Sequence, residues 1–147
     1  MDALDRQILA LLVDDGRRTF DDIAQRVALS PPAVKRRVDK LRARGALRGF
    51  TAVVDHAALG DHTEALLELF FAPGTLLDQV ARTLERFPEV VEAWSVTGEA
   101  DAIARVRTRD NADLERVIMA LQKDGLVQRT RSQVVLSRLV SRAAGQP

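Results

Sequence analysis

Leu4, Ile8, Leu11 and Leu12 stand at i, i+4, i+7 and i+8, the spacing of one helix face, so Asp2 to about Val13 is predicted as an amphipathic helix. Asp2 and Asp5 fall in its first turn, where the helix dipole favours negative charge, and Asp14-Asp15-Gly16 ends it. Thr19-Phe-Asp-Asp then has the form of a capping box with Asp in the acidic position, and Ile23, Ala24 and Val27 give the second helix its inner face. Leu29 is expected to be buried in a short turn. Ser30 is a candidate N-cap for a third helix, with Pro31 at the first helical position. Val34, Val38 and Leu41 form its apolar stripe, and Gly45 is placed to stop it in a left-handed conformation.

Beyond Gly45 the pattern changes. Leu47 to Val54 is rich in strand formers, which predicts a strand over Phe50–Val54 and a linker over Asp55–Gly60. Thr63 to Phe71 reads as a buried strand, although its periodicity also allows helix, and Pro73-Gly74 breaks it. Thr75 is a candidate cap for a helix carrying Leu77, Val80, Leu84 and Phe87. Val90–Thr97 and Ala102–Arg107 read as two strands joined by a hairpin turn at Gly98-Glu-Ala-Asp101. Ile103 alternates with its polar neighbours only loosely. Asn111 is a candidate cap for a helix with Leu114, Val117, Ile118 and Leu121 on one face, stopped by Gly125. Val127–Val135 is the closing strand, with Leu136–Leu139 as an extension.

The fold class is therefore α+β. Residues 1–49 form a helix-turn-helix domain, 50–61 a strand and linker, and 62–140 a ferredoxin-like βαββαβ domain, with 141–147 expected as a disordered tail. An antiparallel sheet with helices on one face leaves its other face and its edges to be covered, which points to self-association through the second domain.

Composition changes this picture at one place. The net charge of the 147 residues is only +1, but from Arg26 to Arg48 eight basic residues face a single acid, Asp39. From Thr51 onward acids outnumber bases. A basic module joined to a mildly acidic remainder fits a nucleic-acid partner, and a helix with one apolar and one cationic face is suited to phosphate. Residues near the start of the third helix, Ser30, Pro32, Lys35 and Arg36, are expected at base edges in the major groove of double-stranded DNA. Arg37, Lys40, Arg42 and Arg44 are expected at phosphates. Taken alone, the same run also reads as an exposed helix face.

The chain has no cysteine, which removes disulfides, Cys-ligated zinc and thiol catalysis and fits a reducing cytoplasm. Met1-Asp-Ala-Leu-Asp-Arg lacks an apolar signal core, and no apolar run has the length of a membrane span, so a cytoplasmic protein without a membrane partner is expected. His56 and His62 are too few and too isolated to suggest a metal site.

Four segments, in order, resemble the Lrp/AsnC (feast/famine) family of bacterial and archaeal transcription regulators. They are Leu4-Asp-Arg-Gln-Ile-Leu with Asp15-Gly-Arg, then Leu29 to Leu41 with Gly45-Ala-Leu-Arg-Gly-Phe-Thr-Ala, then Ser95-Val-Thr-Gly-Glu-Ala-Asp, and last Thr130-Arg-Ser-Gln-Val-Val-Leu. The resemblance runs from about Asp2 to Leu139. It implies an N-terminal DNA-binding domain and a C-terminal domain that dimerises and senses a free amino acid, with dimers assembling to octamers and no further cofactor. It identifies Gly98, Glu99, Ala100 and Asp101, with Thr130 and Ser132, as the effector-binding residues. Ala100 and Ala102 flank Asp101 where many members carry an aromatic residue, and the room this leaves suggests a bulky apolar or aromatic amino acid.

Blander roles stand beside these. Gly98 closes a turn, Asp101 stabilises it, Thr130 and Ser132 lie on a strand surface, and Trp94 belongs to a core or an interface. Two rival functions also stand: a DNA-wrapping architectural protein without effector, and a tetrapyrrole decarboxylase-like enzyme, because siroheme decarboxylases resemble this family in architecture. The sequence shows no Ser/His/Asp set, paired catalytic carboxylates or phosphate loop, so the reading is of a protein that is not an enzyme.

Overall fold

The computed structural model describes residues 1–140 and divides the chain into two compact units, the second of which is Val54–Arg138. The predicted tail, 141–147, lies outside the described residues.

The first unit holds three helices: α1 (Ala3–Asp14), α2 (Phe20–Val27) and α3 (Pro31–Ala43). Asp2 and Asp5 form a reciprocal capping box. Asp2 Oδ1 accepts from the Asp5 N–H at 2.8 Å, and Asp5 Oδ2 accepts from the Asp2 N–H at 3.1 Å. At α2 only half of the expected box forms. Thr19 Oγ1 accepts from the Asp22 N–H, while the Asp22 carboxylate is taken by Arg18 and Arg26. Ser30 occupies the N-cap position of α3 but makes no side-chain cap bond. Pro32 at the second helical position has no N–H, and the Ala33 and Val34 N–H groups donate to the Ser30 carbonyl, so the hydroxyl has no orphan donor to serve. Ile8, Leu12, Ile23, Val27, Val34, Val38 and Leu41 form the core, with Leu29 and Leu47 partly buried against it.

Two turns shape this unit. Gly45 (φ 71°) is left-handed, and the Ala46 N–H returns to the Leu41 carbonyl, as its sequence position predicts. Between α2 and α3 the left-handed residue is Ala28 (φ 53°, ψ 46°), a conformation unusual for a residue with a Cβ. The Leu29 N–H then bonds to the Ala24 carbonyl, which brings α3 across α2.

The second unit runs β1 (Thr63–Phe71), α4 (Leu77–Leu84), β2 (Val90–Ser95), β3 (Ala102–Thr108), α5 (Asn111–Lys123), β4 (Val127–Val134). The strands form one antiparallel sheet in the order β2-β3-β1-β4, the ferredoxin-like arrangement. Ala65, Leu67 and Leu69 of β1 and Ala102, Ala104 and Val106 of β3 face the helices and meet Val80, Leu84, Leu114, Val117 and Leu121. Burial on β3 alternates at every residue, stricter than its sequence suggests, because Thr108 takes an inward place with its hydroxyl donating to the Asp110 carbonyl.

Several local expectations are corrected. Phe50–Val54 is not a strand: its residues are strand formers, but no neighbouring strand offers it a ladder, and Val53 is 94% exposed. Within the expected linker, Ala57–Leu59 makes one 3-10 turn, begun by Asp55 Oδ1 accepting from the Ala57 N–H and ended by left-handed Gly60. Thr75 does not cap α4. The N-cap is Leu76, whose N–H donates to Gln79 Oε1 at 3.1 Å. Asp110, not Asn111, caps α5, its carboxylate accepting from the Asp113 N–H at 2.8 Å. The sheet ends at Val134, and only the Val135 N–H continues it, so Leu136–Leu139 is not an extension. No helix among the described residues is long and apolar enough to cross a membrane.

Candidate nucleic-acid interface and effector loop

On α3 the inward positions are Val34, Val38 and Leu41, and the geometry of the helix divides the remaining positions by function. Arg36, Lys40 and Arg44 are exposed and four residues apart, so they form a single cationic row. With Met1, Asp2 and Asp5 this row borders a depression of about 430 Å³. Ser30, Pro32 and Arg42 are exposed, and Lys35 Nζ pairs with Asp39 across one turn at 2.9 Å.

Arg37 departs from the sequence expectation. Its guanidinium is turned to α1, where Nη1 lies 2.7 Å from Asp2 Oδ2 and 2.7 Å from Asp5 Oδ1. The Asp5 N–H and then Arg37 hold the Asp2 carboxyl below the usual carboxylate range. At Asp5 the Arg37 guanidinium is the larger cause and the Asp2 N–H the second. The same carboxylates keep Arg37 charged. Arg37 is thus a tie between α1 and α3, with its charge met by protein rather than displayed to phosphate.

The hairpin between β2 and β3 carries the second candidate site. The Val96 N–H donates to the Asp101 carbonyl, and Gly98 (φ 124°) supplies the turn. Asp101 fastens this loop to β1 by two bonds. Its N–H donates to the Leu69 carbonyl at 3.0 Å, and its Oδ2 accepts from the Phe71 N–H at 2.8 Å. The carboxylate expected to meet a ligand therefore already has a structural partner. Ala100 is buried and Ala102 lies in the helix-side core, so room left by Ala102 opens inward and not toward solvent.

Thr130 and Ser132 do not join this loop. They pair with Leu69 and Leu67, which places them on the helix-covered face, and Thr130 Oγ1 accepts from Gln122 of α5 at 3.2 Å. The open face beside the loop is built from residues that the sequence did not assign to the effector site. Trp94, Ile103, Glu68 and Arg131 are successive cross-strand partners, forming one row over all four strands. Arg131 Nε lies 2.7 Å from Glu68, and its Nη2 lies 3.0 Å from Glu99 of the loop. Glu99 and then Glu68 hold Arg131 in its charged form. Arg129 stacks on Phe70, its guanidinium carbon 3.6 Å from the ring centre. A depression of about 770 Å³ lies here, with Glu68, Glu99, Arg131, Ala100, Ile103 and Thr97 on its walls. The available signal was Glu68 itself, an acid in the middle of the apolar run Leu66–Phe71.

Comparison with known proteins bears on both sites. Residues 1–42 match the AsnC-type helix-turn-helix domain, and residues 64–144 match the Lrp/AsnC ligand binding domain. The HTH-type transcriptional regulator Rv2324 of Mycobacterium tuberculosis is 43% identical over 97% of this chain and 96% of its own length. The structure of AsnC from E. coli superposes with a TM-score of 0.90 at 26% identity, covering 97% of this chain and 96% of that one. The feast or famine regulatory protein Rv3291c of M. tuberculosis, solved with L-methionine, gives a TM-score of 0.89 at 31% identity over 95% of each chain. The domain order, the sheet order and these matches agree: the chain belongs to the Lrp/AsnC family of transcriptional regulators.

Proposed function

We propose that this chain regulates transcription by binding double-stranded DNA through α3 and by sensing a free amino acid at the Gly98–Asp101 loop. The observation that carries the DNA half is the exposed row Arg36, Lys40 and Arg44 on a helix whose opposite face is fixed in a core. Phosphates meet that row, which takes in Arg36 although its place near the helix start had put it with the base-edge residues, and Ser30, Pro32 and Lys35 reach base edges. The free Ser30 hydroxyl suits this role. Arg42 adds a further phosphate contact. The amino-acid half draws on the family membership, on the L-methionine bound to a relative of the same fold, and on the depression beside the loop.

In this reading the protein works in the cytoplasm as a homodimer joined through the second unit, with dimers assembling to octamers, and it needs no metal or prosthetic group. It is a regulator rather than an enzyme, in line with relatives named as transcriptional regulators. The architectural alternative keeps one supporting observation: Asp101 has a complete structural role without any ligand. Selection of bound fragments from genomic DNA, followed by anisotropy titration with and without amino acids, tests both halves. Sequence-preferring binding that an amino acid modulates is expected. Binding with no sequence preference would defeat the regulator reading, and sequence-preferring binding untouched by every common amino acid would leave the architectural one.

A further inference from the structure

Asp39 is the only acid between Arg26 and Arg48, and it stands on the exposed face of α3. Pro32, Lys35, Asp39 and Arg42 are exposed at i, i+3, i+7 and i+10, a second row along that face beside Arg36, Lys40 and Arg44. Lys35 Nζ meets Asp39 Oδ2 at 2.9 Å, and both side chains are more than half exposed. Stability does not account for the pair. An exposed pair four residues apart contributes little, and this one has the weaker order, with the cation on the N-terminal side. Against DNA the acid repels phosphate, so it lowers affinity for every sequence. What it adds is discrimination.

The pair presents a donor and an acceptor side by side. Lys35 keeps two N–H groups besides the one given to Asp39, and Asp39 keeps free acceptor positions. In the major groove a G·C pair offers acceptors at guanine N7 and O6 and a donor at cytosine N4. Guanine O6 and cytosine N4 are separated by their own hydrogen bond, about 2.9 Å, which matches the distance between Lys35 Nζ and Asp39 Oδ2. We infer that Lys35 and Asp39 act together as the reader of one G·C pair in the operator. This rests on the reading that α3 enters the major groove. Lys35 donates to guanine O6 and N7, and Asp39 accepts from cytosine N4. An A·T pair fits only with thymine O4 under Lys35 and adenine N6 under Asp39. Asp39 then also faces adenine N7, a second acceptor, and Lys35 loses the counterpart of guanine N7. Asp39 further holds a flexible cation away from phosphates and keeps it for base edges.

Random-sequence duplexes are selected on the full chain and on its Asp39→Ala, Asp39→Asn and Lys40→Ala variants, and the recovered sites are titrated by anisotropy. Circular dichroism establishes that each variant is folded. The wild type is expected to return a G·C pair at one position whose replacement by A·T weakens binding roughly tenfold. For Asp39→Ala that loss is expected to fall below about threefold, while affinity for unrelated duplexes rises as the repulsion is removed. Asp39→Asn is expected to exchange the cytosine for adenine, because an amide pairs with adenine N6 and N7. The same sites and the same discrimination in wild type and both Asp39 variants overturn the inference. So does an A·T pair as the one whose selection depends on Asp39. Lys40→Ala judges the underlying reading separately: a salt slope unchanged in that variant overturns the placement of α3 on DNA, and this inference with it.

Discussion

Arg37 Nη1 lies 2.7 Å from Asp5 Oδ1, and through that contact the third helix is tied to the first. Asp5 also caps its own helix with Asp2, so one pair of carboxylates both starts α1 and holds α3 against it. The orientation of the DNA-facing helix depends on this tie. Arg37→Ala is expected to lower the melting temperature of the protein at pH 7 by a few degrees. The pH dependence has a definite sign. Both carboxyls sit below their ordinary value of 3.8 when folded, so their contribution is complete above about pH 3.8 and is lost as pH falls through the lower folded values. Thermal melts of wild type and Arg37→Ala should therefore differ by a constant amount from pH 7 down to about pH 4 and converge below. A difference that already vanished between pH 7 and pH 5 would contradict the assignment.

The same geometry separates Arg37 from its neighbours in DNA binding. Each phosphate contact contributes about 0.9 to the slope of log affinity against log salt on B-DNA. Arg36→Ala, Lys40→Ala and Arg44→Ala should each flatten that slope by about this amount per protomer bound. Arg37→Ala should weaken binding through misplacement of α3 and leave the slope as it is. Anisotropy titrations over a series of salt concentrations measure both quantities at once. A flattened slope for Arg37→Ala would return that residue to the phosphate contacts.

The sequence made much of this legible, for reasons that are physical. The helices of the first unit and the βαββαβ order follow from apolar spacing, because burial of one face is what fixes each element. What stayed hidden depends on which partner wins. Asp110 and Asn111 are both able to cap a helix, and only the backbone path decides between them. Phe50–Val54 has the composition of a strand, but a strand exists only with a neighbour, and composition does not reveal one. Arg37 reads as one cation among seven on or just beyond α3 until Asp2 and Asp5 are brought to it across the fold. Thr130 and Ser132 came from the family resemblance, while Glu68 shows in the sequence only as an acid inside an apolar run and its partner Arg131 emerges from strand register, where a shift of one residue exchanges the two faces of β4.

The loop anchor gives a separate test. Asp101 Oδ2 accepts from the Phe71 N–H, and Asn at this position retains a side-chain oxygen that makes the same bond. Asp101→Asn should keep the stability of the second unit within about 0.5 kcal/mol, whereas Asp101→Ala should cost about 1 kcal/mol, the net value of one such hydrogen bond. Denaturant unfolding of the two variants provides the comparison. Equal losses for both would show that the charge, not the hydrogen bond, holds the loop.

The turn before α3 turns on Ala28. A residue with a Cβ in the left-handed region carries a steric cost of roughly 1–2 kcal/mol, which glycine avoids. Glycine also has more freedom to lose on folding, by roughly 0.5–1 kcal/mol, so the two effects nearly cancel for Ala28→Gly. A β-branched side chain adds crowding at Cβ without any compensating gain, and Ala28 is exposed, so no lost packing confuses the result. Ala28→Gly should therefore match or slightly exceed the wild-type stability, while Ala28→Val should fall below it by about 1–2 kcal/mol. Because α3 leaves this turn carrying the DNA-facing row, Ala28→Val should also weaken DNA binding with an unchanged salt slope. Equilibrium unfolding and anisotropy on the three proteins decide it. Valine equal to alanine in both measurements would mean that the left-handed conformation at Ala28 places no constraint on the helix that follows.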